Sequence, residues 1–325
     1  SGYQISGRWN SSSRRGSALP CGKPGGTGHD ADAEILNIPA NSPKMLLNAN
    51  VMGADVILFD LEDGVAPGQK PFARELLCAY LRRGLFQGQA MVRVNDVHTP
   101  YFLDDIAAVL PLPILGIMLP KMETPEEIRY ADERMRAVEL ENGLGPGSRI
   151  VLGTAETALG VENALACLTA SSRVAGCSFG SEDFAVSLGV KRSEDNDELD
   201  YARRHLVVAA KAAGKLAADT VYTDVNDEMG LRKMTEQGRR LGYDGKFVIS
   251  PRQVPVVHDV YTPTETEILH ARQVRAAMAE AEREGRGVAV LNGKMLDKPV
   301  LRQAETTLAL AAASGALERG AAVDG

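Results

Sequence analysis

The sequence has little of what marks disulfide-linked, zinc-binding and dithiol redox proteins. Its 325 residues include one tryptophan and four cysteines, Cys21, Cys78, Cys167 and Cys177. No two cysteines have the C-x-x-C spacing and no histidine pair accompanies them, which excludes a zinc finger and a dithiol redox motif. Two of them lie in apolar stretches, where cysteine is usually a small buried hydrophobic residue. We therefore expect reduced thiols and a cytoplasmic protein.

An excess of positive charge and a long apolar run are also absent. The 36 lysine and arginine residues against 43 acidic residues give a net charge of −7, which argues against a nucleic acid or an anionic membrane as partner. The longest apolar run, residues 107–119, contains Pro111 and Pro113 and is too short to span a bilayer. With 44% hydrophobic and 24% charged residues, the composition is typical of a globular protein.

Residues 1–33 differ from the rest of the chain in composition. The first 29 residues contain no acidic residue, and Arg8, Arg14 and Arg15 lie among many serines and glycines, as in a transit peptide. The glycines between residues 22 and 28 would break the amphipathic helix of such a peptide. We therefore predict a flexible N-terminal extension.

From residue 34 to residue 263, short apolar runs alternate with longer helical patterns, which predicts βα units around a parallel sheet. Eight such units in about 220 residues predict a TIM (β/α)8 barrel. An open doubly wound sheet is the alternative, but no G-x-G-x-x-G turn follows a predicted strand. The predicted strands are Glu34–Ile38, Asp55–Asp60, Ala90–Val94, Leu115–Leu119, Arg149–Thr154, Ala175–Gly180, Leu216–Val221 and Lys246–Ile249; helices are predicted at Lys70–Arg83, Pro125–Glu141, Glu198–Ala213 and Glu228–Leu241.

The C-terminal residues 264–325 do not show this alternation. Thr264–Gly285 has the pattern of one long charged helix, and a last helix begins near Pro299. We expect a helical appendage outside the barrel that packs on a neighbouring subunit.

Charged residues end five of the predicted strands. Because the carboxyl ends of TIM-barrel strands form the active-site mouth, these residues are candidates for chemistry. Magnesium prefers oxygen ligands and usually takes one or two carboxylates from the protein, which Glu156 and Asp183 could supply from adjacent strands. Arg93 could hold a substrate carboxylate or a developing enolate oxygen. The pattern predicts a metal-assisted barrel enzyme, and the five strand ends are Asp60-Leu61-Glu62-Asp63-Gly64, Arg93-Val94-Asn95, Pro120-Lys121-Met122-Glu123, Thr154-Ala155-Glu156-Thr157 and Gly180-Ser181-Glu182-Asp183.

Each of these residues also has a purely structural interpretation. An acid at a strand end is often the N-cap of the next helix, and both Asp63 and Asp183 suit that role. Arg93 could be a salt-bridge partner of the Asp60 cluster, and Lys70 could lie on a solvated helix face. The combination of two acids, one arginine and an acidic cluster at one barrel mouth favours a functional site.

Several motifs resemble the HpcH/HpaI aldolase and citrate lyase β family, over residues 34 to 300. The segment Asp60-Leu61-Glu62-Asp63-Gly64-Val65 is specific to that family. The other motifs of the resemblance are Pro39-Ala40-Asn41-Ser42-Pro43-Lys44-Met45, Val92-Arg93-Val94-Asn95, Leu119-Pro120-Lys121, Ala155-Glu156-Thr157-Ala158-Leu159-Gly160 and Phe179-Gly180-Ser181-Glu182-Asp183.

The resemblance implies a TIM barrel, a magnesium site and cleavage of a citryl-, malyl- or citramalyl-type 3-hydroxyacyl thioester. The products would be acetyl-CoA, or a homologue, and a 2-oxo acid, and the thiol would be CoA or a carrier protein. The resemblance makes Glu156 and Asp183 the metal ligands and Arg93 a substrate-binding residue, and Glu156 and Lys70 are further candidates for substrate binding. The candidates for catalysis are Arg93, Glu156, Asp60, Asp63 and Asp297.

The C-terminal segment Gly293-Lys294-Met295-Leu296-Asp297-Lys298-Pro299-Val300 is similar to one in CoA-dependent members. In them its aspartate reaches a neighbouring subunit's active site as an acid or base, which makes Asp297 a candidate for that role. The alternative is that Asp297 caps the helix near Pro299. We expect a homotrimer or homohexamer.

One departure from the family pattern weakens any argument for a particular acyl substrate. Many relatives carry His-Pro after the eighth strand, where this chain has Ser250-Pro251. A CoA-independent pyruvate-type aldolase, a malyl-CoA thioesterase and a non-catalytic barrel subunit are the alternative functions. The arm with Asp297 argues against the first alternative, and the retention of Glu156, Asp183 and Arg93 argues against the last.

Overall fold

The computed structural model describes residues 34–193 and 195–317. Within them, eight parallel strands are hydrogen-bonded in chain order, and β1 pairs with β8 to close a barrel. Closure confirms the predicted TIM barrel and excludes the open sheet, and the strand ends differ from the predicted ones by at most two residues. The strands are β1 Glu34–Pro39, β2 Val56–Asp60, β3 Gln89–Arg93, β4 Gly116–Leu119, β5 Ile150–Ala155, β6 Val174–Phe179, β7 Leu216–Asp219 and β8 Gly245–Val248.

Alternate residues of the strands fill the barrel interior. Side chains along a strand point alternately to its two faces, so the residues two positions beyond an interior residue point inward as well. Asp60 follows Leu58 and Arg93 follows Met91 in this way, and the two charged residues are paired in register on β2 and β3. The interior cluster consists of Ile35, Val56, Leu58, Met91, Met118, Leu152, Ala218 and Phe247.

Helices follow the strands in the expected βα order. The α4 and α9 helices have the predicted bounds, and each begins at a cap: Thr124 forms a capping box with Glu127, and the Asp227 carboxylate accepts from the Gly230 N–H. None of the described helices combines the length and apolarity that crossing a bilayer requires. The helices are α1 Pro43–Asn48, α2 Lys70–Arg82, α3 Phe102–Val109, α4 Pro125–Glu141, α5 Ala158–Glu162, α6 Ala164–Thr169, α7 Ser181–Ser187, α8 Asp200–Ala212, α9 Glu228–Leu241 and α10 Val254–Tyr261.

A buried ion cluster lies at the amino-terminal ends of β5 and β6. The Arg173 guanidinium, which precedes β6, donates to both carboxylate oxygens of Glu139 at 2.7 and 3.0 Å and to Asp132 at 2.8 Å. Burial alone would raise the pKa of Glu139, but these bonds and the Gly147 N–H lower it overall. Breaking a buried pair of this kind is strongly destabilising, so the cluster supports the barrel face opposite the mouth.

The three cysteines that the structure describes are free and buried in the barrel unit. Burial raises the pKa of the Cys78 thiol, and it raises the pKa of Cys167 and Cys177 to about 12. These residues are small buried hydrophobes, as was predicted for two of the four cysteines. Cys21 lies outside the described residues, as does the whole predicted extension 1–33.

The described chain divides into two compact units, residues 34–257 and residues 258–317. The division falls within α10, six residues before the predicted boundary at 263, which stays a prediction.

The second unit has its own apolar core between two helices and a hairpin. Its elements are α11 Glu265–Arg283, β9 Ala289–Leu291, β10 Lys294–Leu296 and α12 Lys298–Ala313. Core residues of α11 recur every three or four positions, as an amphipathic helix requires. The hairpin was not predicted, although Asn292-Gly293 is a strong signal for it: both residues have positive φ, 51° and 76°, as a type I′ turn demands.

Candidate active site

The carboxyl ends of the barrel strands carry a group of charged side chains. Asp60 ends β2 and Arg93 ends β3, both at inward positions, and Glu156 directly follows β5. All three lie at the end of the barrel that forms the active site in TIM-barrel enzymes. The parallel register therefore brings together residues that are far apart in the chain.

Asp60 and Arg93 form a buried bidentate ion pair. The Arg93 Nε and Nη2 atoms donate to the two Asp60 carboxylate oxygens at 2.8 and 2.7 Å. The backbone N–H groups of Glu62 and Gly64 each donate to one of the same oxygens at 2.8 Å. A Cβ on Gly64 would lie 2.4 Å from Asp60 Oδ2, so only glycine fits this turn. With two donors on each of its oxygens, Asp60 holds Arg93 in place.

The charge of Arg93 is strongly favoured at this position. Burial lowers its pKa, but the hydrogen bonds with Asp60 and the charges of Asp60, Glu62 and Glu156 outweigh burial and raise it. A guanidinium has five N–H donors, and Asp60 takes two of them in this arrangement. The salt-bridge interpretation of Arg93 is therefore correct for this structure, and it leaves N–H groups for a further ligand.

Glu62 joins Arg93 to Lys121 across the mouth. Its Oε2 lies 3.3 Å from Arg93 Nη1 and its Oε1 lies 3.4 Å from Lys121 Nζ. Burial is the main cause that raises the pKa of Glu62, and Arg93 opposes it. Asp63 next to it is exposed. Glu62 and Lys121 stand at two of the predicted strand ends, Glu62 within the acidic cluster, and the structure brings the two side chains into contact within the site.

Lys70 is buried rather than on a solvated helix face. Its ammonium donates to the backbone oxygens of Leu61 and Glu62 at 3.1 and 2.7 Å, and it lies 5.6 Å from the centre of the Tyr101 ring. The side chain therefore ties the start of α2 to the turn that carries Glu62.

Glu156 is a buried carboxylate with one oxygen that makes no hydrogen bond to the described residues. Its Oε1 accepts from the backbone N–H of Lys121 at 2.7 Å. Its Oε2 faces Gly180, where an added Cβ would lie 2.6 Å from Oε2 and 2.5 Å from Glu156 Cβ. Burial, more than the neighbouring charges of Asp183 and Glu62, raises the pKa of Glu156 to about 8. The glycine at 180 thus makes room for this side chain.

Asp183 supplies a second carboxylate beside Glu156. It lies in the first turn of α7 and is exposed, and its charge disfavours ionisation of Glu156. The start of α7 is held by Ser181, whose N–H donates to Thr220 Oγ1 at 3.3 Å and whose hydroxyl accepts from Thr220 at 2.7 Å. Two neighbouring carboxylates, with oxygens that make no hydrogen bond among the described residues, have the donor chemistry of a divalent-cation site. Glu156 and Asp183 therefore fit a bound magnesium ion.

Asp297 lies in the second unit and is the N-cap of α12. Its carboxylate accepts from the backbone N–H of Val300 at 3.3 Å, and Pro299 occupies the first turn. The capping interpretation is thus the role that the residue has within its own chain.

The mouth as a whole can bind an oxygen-rich anion and transfer protons. A guanidinium and an ammonium, Arg93 and Lys121, lie beside Glu62, and two further carboxylates lie at Glu156 and Asp183. The closed barrel and this mouth define a TIM-barrel enzyme. Residues 34–251 match the family model described as HpcH/HpaI aldolase/citrate lyase, and the chain belongs to that family.

Individual relatives agree with this assignment. The chain is 40% identical over 281 residues to the citrate lyase subunit beta of Leuconostoc mesenteroides subsp. cremoris, covering 86% of this chain and 93% of that one. It is 33% identical over 292 residues to the human mitochondrial citramalyl-CoA lyase, covering 85% and 84%. Among solved structures, CitE from Mycobacterium tuberculosis in complex with magnesium, acetoacetate and coenzyme A matches with a TM-score of 0.72 and 32% identity, over 87% of this chain and 98% of that one.

Proposed function

We propose that the protein is a Mg²⁺-dependent carbon–carbon lyase that cleaves a citryl-, malyl- or citramalyl-like 3-hydroxyacyl thioester. Its products are acetyl-CoA, or a homologue, and a 2-oxo acid. The observation that carries the proposal is the grouping of Arg93, Glu62 and Glu156 at one barrel mouth, with Asp183 beside Glu156. Relatives named as citrate lyase subunits and citramalyl-CoA lyases, and a structural neighbour crystallised with magnesium and coenzyme A, support it.

Glu156 and Asp183 would hold the magnesium ion. The ion would supply Lewis-acid stabilisation for the substrate oxygen that becomes the ketone of the 2-oxo acid. Glu156 Oε1 already accepts a hydrogen bond from the Lys121 N–H. Oε2 makes no hydrogen bond among the described residues and would therefore be the oxygen that binds the ion.

The reaction requires two proton transfers and one stabilised carbanion. A carboxylate takes the hydroxyl proton, the carbon–oxygen bond becomes a carbonyl, and the electrons of the broken carbon–carbon bond pass to the thioester α-carbon as an enolate. The N–H groups of Arg93 that Asp60 does not use are the donors for the enolate oxygen or for a substrate carboxylate. An acid then protonates the α-carbon to release the shorter thioester.

Within the acidic cluster, we assign Glu62 as the base that accepts the proton of the substrate hydroxyl. The oxygens of Asp60 each accept two hydrogen bonds, which leaves that residue to position Arg93. Asp63 is exposed, and its N–H donates to Glu62 Oε2 at 3.1 Å. Glu62 is buried between Arg93 and Lys121, where a proton acceptor meets the substrate rather than water. Lys70 supports it by fixing the turn and does not itself bind the substrate in this assignment.

The proposal is tested by a panel of thioesters. Citramalyl-, malyl- and citryl-CoA are incubated with the enzyme and Mg²⁺, and the 2-oxo acid, the shortened thioester and the free thiol are measured separately. Equal amounts of 2-oxo acid and of the shortened thioester are expected, with no release by Glu156→Ala. Release of free thiol without 2-oxo acid would indicate a thioesterase. Cleavage of the free hydroxy acid at the same rate as of its thioester would indicate a CoA-independent aldolase, and no turnover with no Mg²⁺ binding would indicate a non-catalytic subunit.

We also propose a homotrimer or homohexamer in which Asp297 of one chain serves a neighbour's active site as the acid that protonates the enolate. The hairpin before Asp297 supports an interface, because its cross-strand pair Val290 and Met295 is 67% and 68% exposed. Burial of this exposed apolar pair against another subunit would remove it from water. The free buried thiols support the further proposal of a reducing, cytoplasmic location.

The shared-site assembly is tested by mixing two inactive variants. Chains with Asp297→Ala and chains with Glu156→Ala are co-assembled, and the mixed oligomers are verified by mass spectrometry. Partial recovery of 2-oxo acid release is expected, because some sites then combine an intact Glu156 with a neighbour's intact Asp297. Verified mixed oligomers without activity would show that the arm serves no neighbouring site.

A further inference from the structure

Lys121 has a backbone conformation that lysine rarely adopts. Its φ is +51°, in the left-handed region that disfavours residues with a Cβ. The other described non-glycine residues with positive φ are Asn196 and Asn292, and asparagine tolerates this region. Strained residues persist where the surrounding structure forces them, and they concentrate at functional sites. Lys121 lies two residues after the end of β4, within the candidate active site.

The turn around Lys121 is clamped from both sides. The next residue, Met122, donates its N–H to the Thr154 backbone oxygen at 2.9 Å, which binds the turn to β5. A Cβ on Gly153 would lie 2.3 Å from the Met122 sulfur, and a Cβ on Gly160 would lie 2.3 Å from the Met122 backbone oxygen. Gly160 is therefore the glycine on which the position of the turn depends, because a Cβ there would meet backbone, whereas the Met122 sulfur at the end of a flexible side chain could shift away from a Cβ at position 153.

The left-handed turn directs two groups of one residue at two different carboxylates. The Lys121 backbone N–H donates to Glu156 Oε1 at 2.7 Å. The Lys121 ammonium lies 3.4 Å from Glu62 Oε1, on a side chain that is 41% exposed at the mouth. Lys121 therefore contacts both Glu156, the carboxylate proposed to bind the metal, and Glu62, the carboxylate proposed to accept the hydroxyl proton of the substrate.

We propose that Lys121 is a positioning residue of the lyase reaction with two separable contributions. Its strained backbone orients Glu156 so that Oε2 is the oxygen left for the cation, and its ammonium orients Glu62. This inference rests on the proposed function and adds to it a residue that acts through two others.

Four variants separate the backbone contribution from that of the ammonium. Lys121→Val disfavours positive φ because valine is β-branched, whereas Lys121→Gly accepts it and lacks only the side chain. Lys121→Gln keeps the backbone and the reach of the side chain but removes the charge. Asn292→Val is the matched control, since it places the same residue at the same φ of 51° in the second unit.

Mg²⁺ affinity is measured by calorimetry and turnover by 2-oxo acid release. Removing a residue that orients a ligand typically weakens metal binding by about tenfold or more, and we expect that loss for Lys121→Val. Lys121→Gly and Lys121→Gln should bind Mg²⁺ within about threefold of the native protein while kcat falls about tenfold. Asn292→Val should leave Mg²⁺ affinity unchanged. If Lys121→Val does not fold, Gly160→Ala tests the same backbone, because the new Cβ displaces the Met122 oxygen.

The outcomes are decisive for this inference and distinct from those for the proposed function. Native Mg²⁺ affinity in folded Lys121→Val, or in Gly160→Ala where it replaces that variant, would overturn the role of the backbone. Native kcat in Lys121→Gln would overturn the role of the ammonium. A native protein that neither binds Mg²⁺ nor cleaves any thioester refutes the proposed function itself, whatever the Lys121 variants do.

Discussion

Replacing Arg93 with lysine tests whether a planar guanidinium is required at the barrel mouth. Arg93 donates to both oxygens of Asp60, at 2.8 and 2.7 Å, and the Asp60 side chain is 2% exposed. Lysine keeps the charge but cannot reproduce the bidentate geometry. A hydrogen bond to a charged group contributes about 1.5–3 kcal/mol, so the loss of one bond should lower the free energy of unfolding by about 2 kcal/mol. Losing a donor aimed at the developing charge should lower kcat about a hundredfold or more.

The effect on stability and the effect on activity are measured separately. Urea denaturation gives the free energy of unfolding, and 2-oxo acid release at a temperature where the variant is fully folded gives kcat. Arg173→Lys is the matched control, because Arg173 also forms a bidentate pair, with Glu139 at 2.7 and 3.0 Å, at the opposite end of the barrel. The control should lose at least as much stability, about 2 kcal/mol or more, because Arg173 also donates to Asp132, and it should keep its turnover. Native turnover in Arg93→Lys, or an equal loss of turnover in both variants, would refute a chemical role for the guanidinium.

Three further predictions follow from individual contacts. Gly180→Ala should weaken Mg²⁺ binding at least about tenfold in calorimetry, because the new Cβ would lie 2.5 Å from Glu156 Cβ; unchanged affinity would mean that Glu156 is not a ligand. Asp297→Ala should lower the free energy of unfolding by about 1 kcal/mol, because the helix cap is lost. Asp297→Asn keeps a capping side chain, so it should retain that stability and still lose turnover. An active Asp297→Asn would leave capping as the residue's only role. The pKa of Glu139 is lowered in the folded state, so its contribution to stability is complete above the ordinary pKa of 4.5 and is lost as the pH falls through the lower folded pKa. Glu139→Gln should therefore reduce the loss of unfolding free energy at acid pH in pH-dependent denaturation. An unchanged dependence on pH would contradict the assignment.

The barrel could be predicted from the sequence because its strands are encoded locally. Each strand is a short apolar run followed by a polar turn and a helical pattern, and the last inward residue before the turn is charged where function requires it. Asp60, Arg93 and Glu156 were identified as candidates on this basis, and the structure brings them to one end of the barrel. The helical pattern predicted the bounds of α4, Pro125–Glu141, correctly, and the structure shows the Thr124 cap that fixes its start.

The remaining features depend on contacts between distant residues. Nothing in the neighbours of Lys121 predicts a positive φ. The turn that contains Lys121 packs against Gly160, more than thirty residues away in the chain, where the Met122 backbone oxygen leaves no room for a Cβ. Burial of Lys70 similarly depends on the backbone oxygens of a different loop. The hairpin is a different case, because Asn292-Gly293 is a local signal from which a hairpin can be predicted.

Because the thiols are deeply buried, the rate at which they are modified can report how often the folded barrel opens. Alkylating reagents attack the thiolate, and in the native fold Cys167 and Cys177 are 0% and 1% exposed with pKa values raised to about 12. Labelling at neutral pH must therefore await a transient opening of the barrel, and its rate measures how often such openings occur. A ligand that binds only the closed barrel should slow the modification in proportion to its occupancy. In a Cys21→Ser background, mass spectrometry of alkylated protein could thus rank candidate thioesters by protection alone, without any of them being turned over.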